Sequence, residues 1–268
     1  MCPHCRAFIT TKDKVCPYCE AEVGPRAIER RDPAPIAGGL ISGQRFLTSM
    51  ILLINIGLYA LCVVYGSQDG RSNWMGIDGR TLIEFGSKFG PNIILQSEYW
   101  RLITAGFLHG GAFHILMNSW YLLDLGSQVE EIYGVARMIV IYVMGTVLGF
   151  TASLFYSPLA NSVGASAGIC GLLGAMIAYA TQSQSSYARA MKGAYIRWAI
   201  LILALGLLPF PIDNAAHIGG MAGGYAIGYL AGTPRLTSGF VEQFWKVAAG
   251  ISVGLVVISF AFWASRFF

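Results

Sequence analysis

MIVIYVMGTVLGFTASLFYSPLANSVGASAGICGLLGAMIAYATQSQSSYA, residues 138–188, contains no Asp, Glu, Lys or Arg. As one helix its 51 residues would run about 76 Å, roughly twice the hydrocarbon core of a bilayer. The run must therefore fold back once, and Ser157-Pro158 through Ser162 supplies the turn residues. Read outward in both directions, the same pattern predicts apolar helices near 46–65, 112–129, 135–156, 165–181, 194–209, 214–231 and 246–263. The expectation is an all-α polytopic membrane protein with seven spans. The spans opening at Ala165 and Asn214 are short and glycine-rich, which predicts a place inside the bundle rather than against lipid.

Composition supports this class and removes others. Hydrophobic residues make up 55% of the chain and charged residues only 12%, with a mean hydropathy of +0.57. An ordinary soluble domain carries about a quarter charged residues, so a soluble enzyme with one buried core is excluded, and so is intrinsic disorder. The net charge of +4 is too small and too scattered for nucleic-acid binding.

Basic residues set the expected orientation. Thirteen of the 18 fall before the first span or in the connections on that same side: Arg6, Lys12, Lys14, Arg26, Arg30, Arg31, Arg45, Arg137, Arg189, Lys192, Arg197, Arg235 and Lys246. Five fall on the other side: Arg71, Arg80, Lys88, Arg101 and Arg266. This predicts a cytoplasmic N-terminus. The first apolar run follows 45 mostly polar residues, unlike a cleavable signal peptide, and no transit peptide is visible. A bacterial cytoplasmic membrane is the expected location. The long connection at 67–111 is expected to be extracytoplasmic, and a loop of that length is usually functional or partly embedded in the interface.

Four of the six cysteines lie in the first 19 residues, as Cys2-Pro-His-Cys5 and Cys16-Pro-Tyr-Cys19 separated by ten residues. Two such knuckles can present four thiolates to one Zn²⁺, and a closed site lets so short a segment fold. The competing redox reading needs a βαβ scaffold that is not in evidence, and a reducing compartment favours metal over disulfide. A third reading gives the cysteines no fixed role. The chain then divides into a zinc-knuckle head at 1–33, a linker at 34–45, a six-helix core at 46–232 and an additional C-terminal transmembrane helix within 233–268. Cys62 and Cys170, inside apolar helices, read as small buried hydrophobes.

Polar groups at membrane depth are costly and are functional candidates by default. His109, His114 and Asn118 lie at the start of the second span, Ser166 opens the fourth, and His217 opens the sixth. All three spans are even-numbered, so these first turns share one level near the extracytoplasmic face. Gly164, Gly168, Gly171 and Gly174 on one span, and Gly220, Gly224, Gly228 and Gly232 on another, would let backbones approach closely. That could bring the His217 imidazole to the Ser166 hydroxyl, which needs a base to become a nucleophile. A helix start offers free N–H groups for a developing oxyanion, and His114 with Asn118 on one face can add donors. Taken singly, the serine reads as a packing residue and His114 with Asn118 as a hydrogen-bonded staple between helices. Their conjunction on one level favours the catalytic reading.

These motifs resemble the rhomboid family of intramembrane serine proteases. The resemblance is carried by Glu98-Tyr-Trp100-Arg101, His109-Gly-Gly-Ala-Phe-His114-Ile-Leu-Met-Asn118, Gly164-Ala-Ser166-Ala-Gly-Ile-Cys-Gly-Leu-Leu-Gly174 and Ala216-His217-Ile-Gly219-Gly-Met-Ala-Gly223. It covers roughly 46–232, with Ala167-Gly168 where Gly-Ala is usual. It implies a six-helix rhomboid-like bundle, with Ser166 as nucleophile and His217 as general base in a dyad without a third acid. It also implies an oxyanion hole from His114, Asn118 and the Ser166 N–H, with Trp100 and Arg101 shaping the first loop. His109 matches a position near the site that is not itself catalytic, and Asp213 is expected to cap a helix. No cofactor is implied for catalysis, so zinc would be structural. The implied partners are single-pass transmembrane substrates that unwind near the extracytoplasmic face, the surrounding bilayer, and an unidentified cytoplasmic partner of the head. Two other classes compete: a non-catalytic scaffold binding client helices, and a small-solute transporter. The intact Ser166 and His217 argue against the first. A transporter should show deeper ionisable groups and repeat symmetry, and Asp124 is the only deeper acidic candidate.

Overall fold

The computed structural model describes residues 5, 15–23, 45–183, 186–209, 212–233 and 239–266. Cys2, all but the last residue of the linker at 34–45, and Arg6, Lys12, Lys14, Arg26, Arg30, Arg31 and Arg235 lie outside the described residues. Among the described residues ten α-helices follow in order: α1 (Phe46–Gln68), α2 (Gly79–Glu84), α3 (Gly90–Leu95), α4 (Arg101–Thr104), α5 (Ala112–Tyr121), α6 (Ser127–Tyr156), α7 (Ser166–Gln182), α8 (Ser186–Leu205), α9 (Asn214–Ala231) and α10 (Phe240–Ala264). A π-helical turn at Leu122–Gly126 joins α5 to α6, and a 3-10 turn at Ala105–Phe107 follows α4. From residue 45 onward the described residues form a helical membrane bundle.

From Ala112 to Tyr156 the chain is helical and apolar over 45 residues, about 68 Å and too long for one crossing. Gly134 divides it: its φ of 78° and ψ of 162° are open to glycine but strained for other residues, and the helix breaks there into the second and third spans. A second device ties the first span to this break. Buried Glu130 accepts N–H bonds from Leu47 and Thr48 at 3.0 Å each and the Thr48 hydroxyl at 2.8 Å. A carboxylate on α6 thereby satisfies the otherwise orphaned first-turn donors of α1.

The helices α7 and α9 pack backbone to backbone. A Cβ on Gly224 would overlap the Gly171 carbonyl, one on Gly220 the Ala167 carbonyl and one on Gly174 the Met221 carbonyl. Placement inside the bundle holds for α7, whose residues from Ala167 to Met176 are all buried. It does not hold for the whole of α9. Its glycines lie toward α6 and α7, while Ile218 and Tyr229 on the other side stand exposed. A Cβ on Gly232 would meet no described atom within 4 Å, and this glycine ends the helix with φ of 55°.

Two helix starts also differ from the hydropathy reading. Helix α8 begins at Ser186, carrying Arg189 and Lys192 within its first turns, and α10 begins at Phe240. Apolar windows miss polar helical turns because they score solvation and not backbone geometry. The early start of α10 places Glu242 against Arg137 in a two-bond ion pair of 2.7 and 2.8 Å, with the guanidinium 5.5 Å from the Trp245 ring centre.

The connection at 69–111 is folded rather than loose. Arg101 pairs with Glu98 and donates to the carbonyls of Ile83 and Ser87 at 2.7 and 3.2 Å, and it lies 4.7 Å from the Trp100 ring centre. Glu98 and Arg101 are both buried and pair with each other, and Arg266 from the far end of the chain also pairs with Glu98.

Candidate active site

Ser166 is the first residue of α7 and His217 lies in the first turn of α9. The glycine contacts between these helices bring the two side chains together, with Nε2 of His217 2.9 Å from Oγ of Ser166. The imidazole is buried, and its Nδ1 has no hydrogen-bond partner among the described residues.

His114 reaches the same point from α5. Its Nδ1 accepts from the Gly110 N–H at 3.4 Å, which leaves Nε2 as the ring's donor. Nε2 sits 2.7 Å from where a Cβ on Gly164 would stand, and Ser166 Oγ sits 3.5 Å from that point. Gly164, at φ 136°, is therefore the gap through which His114 faces Ser166. Asn118 is buried one turn further along α5 and donates Nδ2 to the His114 carbonyl at 2.9 Å. That bond commits one of its two amide hydrogens to its own helix. His109 is fully buried, with its ring centre 5.1 Å from that of His114, packed edge to face.

Asp213 caps α9, its carboxylate accepting from Ala216 N–H at 3.0 Å. It also accepts from the hydroxyls of Ser162, at 2.6 Å, and Ser153. Burial disfavours its charge, but these hydroxyl and N–H donors together with nearby Lys88 outweigh burial and hold its pKa below the ordinary carboxylate range. Burial of Lys88 lowers its pKa, and the Asp213 charge opposes that shift in part. The cap role was legible from the Asp213–His217 spacing. Lys88 and Glu130 were not singled out: one is a charge in a loop, the other stands beside Glu131 near a span end, and nothing in sequence marks either as buried.

A second cluster lies in the N-terminal segment, where the sulfurs of Cys5, Cys16 and Cys19 are all within 4.8 Å of one another. A tetrahedral zinc with bonds of about 2.3 Å sets its sulfurs about 3.8 Å apart, and Cys5 and Cys16 stand at 3.6 Å. The chain turns around Cys16 as a knuckle, with Cys16 N–H to the Ala21 carbonyl and Glu20 N–H to the Cys16 carbonyl, both 2.9 Å. The donor set fits zinc.

Residues 96–234 match the sequence profile of a family described as "Rhomboid domain". Among curated proteins, the chain is 33% identical over 194 residues to "Rhomboid protease GluP" of Bacillus subtilis, covering 72% of this chain and 36% of that protein. It is 36% identical over 160 residues to "RHOMBOID-like protein 7" of Arabidopsis thaliana, covering 58% and 50%. It is 26% identical over 202 residues to "Inactive RHOMBOID-like protein 8" of the same plant, covering 67% and 57%. The chain thus spans between about a third and somewhat over half the length of these relatives.

Proposed function

The chain belongs to the rhomboid family, and from that premise we propose that it is an intramembrane serine endopeptidase acting on single-pass transmembrane proteins. The observation that carries this reading is the 2.9 Å contact between Ser166 Oγ and His217 Nε2 at the starts of two tightly packed helices. Ser166 attacks the peptide carbonyl while His217 Nε2 takes its proton, and the imidazolium then gives that proton to the departing amine as the C–N bond breaks. The acyl-enzyme is then resolved by a water that His217 activates in turn. His114 Nε2, with the Ser166 N–H and the remaining amide hydrogen of Asn118, supplies donors to the oxyanion. A helical peptide bond is shielded by its own backbone, so the substrate must unwind locally at the level of Ser166. Trp100 and Arg101 hold the fold of the connection over that level. The charge asymmetry supports a cytoplasmic N-terminus, and with it cleavage near the extracytoplasmic face; the proposed location is a bacterial cytoplasmic membrane.

The domain division follows the same reading: a head at 1–33, a linker at 34–45, the protease core at 46–232 and an added helix within 233–268. Cys5, Cys16 and Cys19 with Cys2 would hold one structural zinc that lets the head fold and takes no part in catalysis. One zinc per chain is the expected elemental analysis, falling below a tenth of that in Cys16→Ser with serine reactivity unchanged. A wild-type protein purified without zinc enrichment would remove the metal from this account.

One relative is named inactive, so reactivity itself is the decisive measurement. A fluorophosphonate probe applied to detergent-purified wild type, Ser166→Ala and His217→Ala needs no known substrate. Labelling of wild type alone is expected, and Asn118→Ala should label on the order of 10²-fold more slowly. A folded wild type that stays unlabelled would favour a non-catalytic scaffold that binds client helices.

A further inference from the structure

The helices that carry Ser166 and His217 meet along nearly bare backbone. A glycine-lined face allows close approach, but it offers few side-chain knobs to resist sliding or rotation. A directional contact must fix the register, and the structure holds one at the helix ends. Asp213 stands four residues before His217, and Ser162 four residues before Ser166. The Asp213 carboxylate accepts from Ser162 Oγ, from Ser153 Oγ and from Ala216 N–H, while its main-chain carbonyl accepts from His217 N–H at 3.1 Å. One residue therefore joins α6, the connection into α7 and the first turn of α9. Lys88 closes the knot from the long connection. Fully buried, it donates Nζ to the carbonyls of Ser157 at 2.7 Å and Ala160 at 3.1 Å, and its backbone pairs with Ser162 in both directions. None of the Asp213 contacts goes to the imidazole. In a Ser-His-Asp triad the acid orients the ring directly; here the carboxylate holds the chain on which the ring stands.

We propose that Asp213 is a positioning residue that sets the Ser166–His217 register by tying Ser162 to the first turn of α9. The inference rests on the reading of Ser166 and His217 as nucleophile and base. A displacement of about 1 Å between reacting groups costs on the order of 10²-fold in rate, so losing the tie costs turnover even when the fold survives. Ser162→Ala cuts the tie and leaves the helix cap and the Ser153 contact. Asp213→Ala removes all three side-chain contacts. Asp213→Asn keeps an acceptor for Ala216 N–H and an amide that can pair with the hydroxyls, so it preserves geometry without charge.

The test uses the full chain in detergent and three readouts: the limiting rate of fluorophosphonate labelling at saturating probe, the probe concentration at half that rate, and the melting temperature. Ser162→Ala and Asp213→Ala are expected to lose about tenfold or more of the limiting rate with the half-saturating concentration unmoved, and Asp213→Asn to stay within about threefold of wild type. If Asp213→Ala fails to fold, Ser162→Ala and Asp213→Asn decide the matter by the same criteria. Folded Ser162→Ala labelling at the wild-type rate would overturn the tie. Asp213→Asn falling as far as the loss expected of Asp213→Ala would overturn positioning in favour of charge. An unlabelled wild type would instead bring down the nucleophile-and-base reading, so the two failures are told apart.

Discussion

A Cβ on Gly164 would crowd His114 and touch Ser166, and this glycine's lack of a side chain has two separate causes. Its φ of 136° is rarely adopted by residues with a Cβ, and a Cβ there would stand 2.9 Å from Cε1 and 2.7 Å from Nε2 of His114. Gly164→Ala is therefore expected to cost about 1–3 kcal/mol of stability and to slow fluorophosphonate labelling by about tenfold or more. The two causes separate in a double-mutant cycle with His114→Ala, which removes the clash but not the backbone strain. The double variant should melt higher than the sum of the single effects predicts, and strict additivity would mean that His114 does not press on this position. Asp213 gives the pH dependence at this scale. Its folded-state pKa lies below its ordinary value, so its contribution to stability is full above pH of about 4 and is lost as pH falls through the lower, folded value. Wild type should lose melting temperature across that window faster than Asp213→Asn. Parallel curves would show that the carboxylate is not preferentially charged in the fold.

Most elements were legible because the bilayer writes its thickness into sequence. The charge-free run at 138–188 demanded a turn, and α6 and α7 fall on either side of it. The three polar first turns shared a level because spans alternate in direction, and the Ser166–His217 contact lies where that argument placed it. What was hidden depends on contacts distant in sequence. Glu130 caps a helix more than eighty residues earlier, and Lys88 bonds to carbonyls about seventy residues later. Hydropathy scores neither. The exposed side of α9 was missed because glycine content reports close approach on one face and is silent about the other. Glycine position therefore matters more than glycine count. Gly224→Val should drive a branched side chain into the Gly171 backbone and destabilise α7 against α9 by about 3 kcal/mol or more. Gly250→Val and Gly254→Val on α10, where a Cβ meets no described atom within 4 Å, should leave the melting temperature within a few degrees of wild type. Equal losses at all three sites would mean that glycine acts here through helix propensity and not through packing.

Across the whole molecule, α10 is fastened at its two ends and barely between them. Only 11% of its apolar stretch is buried, which suits a helix facing lipid over most of its length. At one end Arg137 and Glu242 form their two-bond ion pair beside Trp245. At the other, Trp263 Nε1 donates to the Glu84 carbonyl at 3.2 Å, its ring packs on Phe85, and Arg266 pairs with Glu98. Glu98 is also the partner of Arg101, so this end of α10 bears on the 69–111 connection. Between these ends α10 packs on the core through Ala248, Ala249, Val256 and Phe260, so the polar fastenings add to a small apolar contact. The Arg137 side chain is 3% exposed, and reversing its partner leaves a buried cation facing another cation. Glu242→Arg should accordingly cost about 3–5 kcal/mol of docking, with Arg137→Glu/Glu242→Arg recovering part of it. Recovery is partial because Arg137 also donates to the Ala231 carbonyl, a bond that glutamate cannot make. Limited proteolysis of the 69–111 connection is the informative readout alongside melting. If α10 braces that connection from afar, Glu242→Arg raises its cleavage rate although the substitution lies at the opposite end of the helix. Cleavage unchanged in a variant that has lost the ion pair would mean that the Trp263 and Arg266 contacts hold the connection without help from the far end.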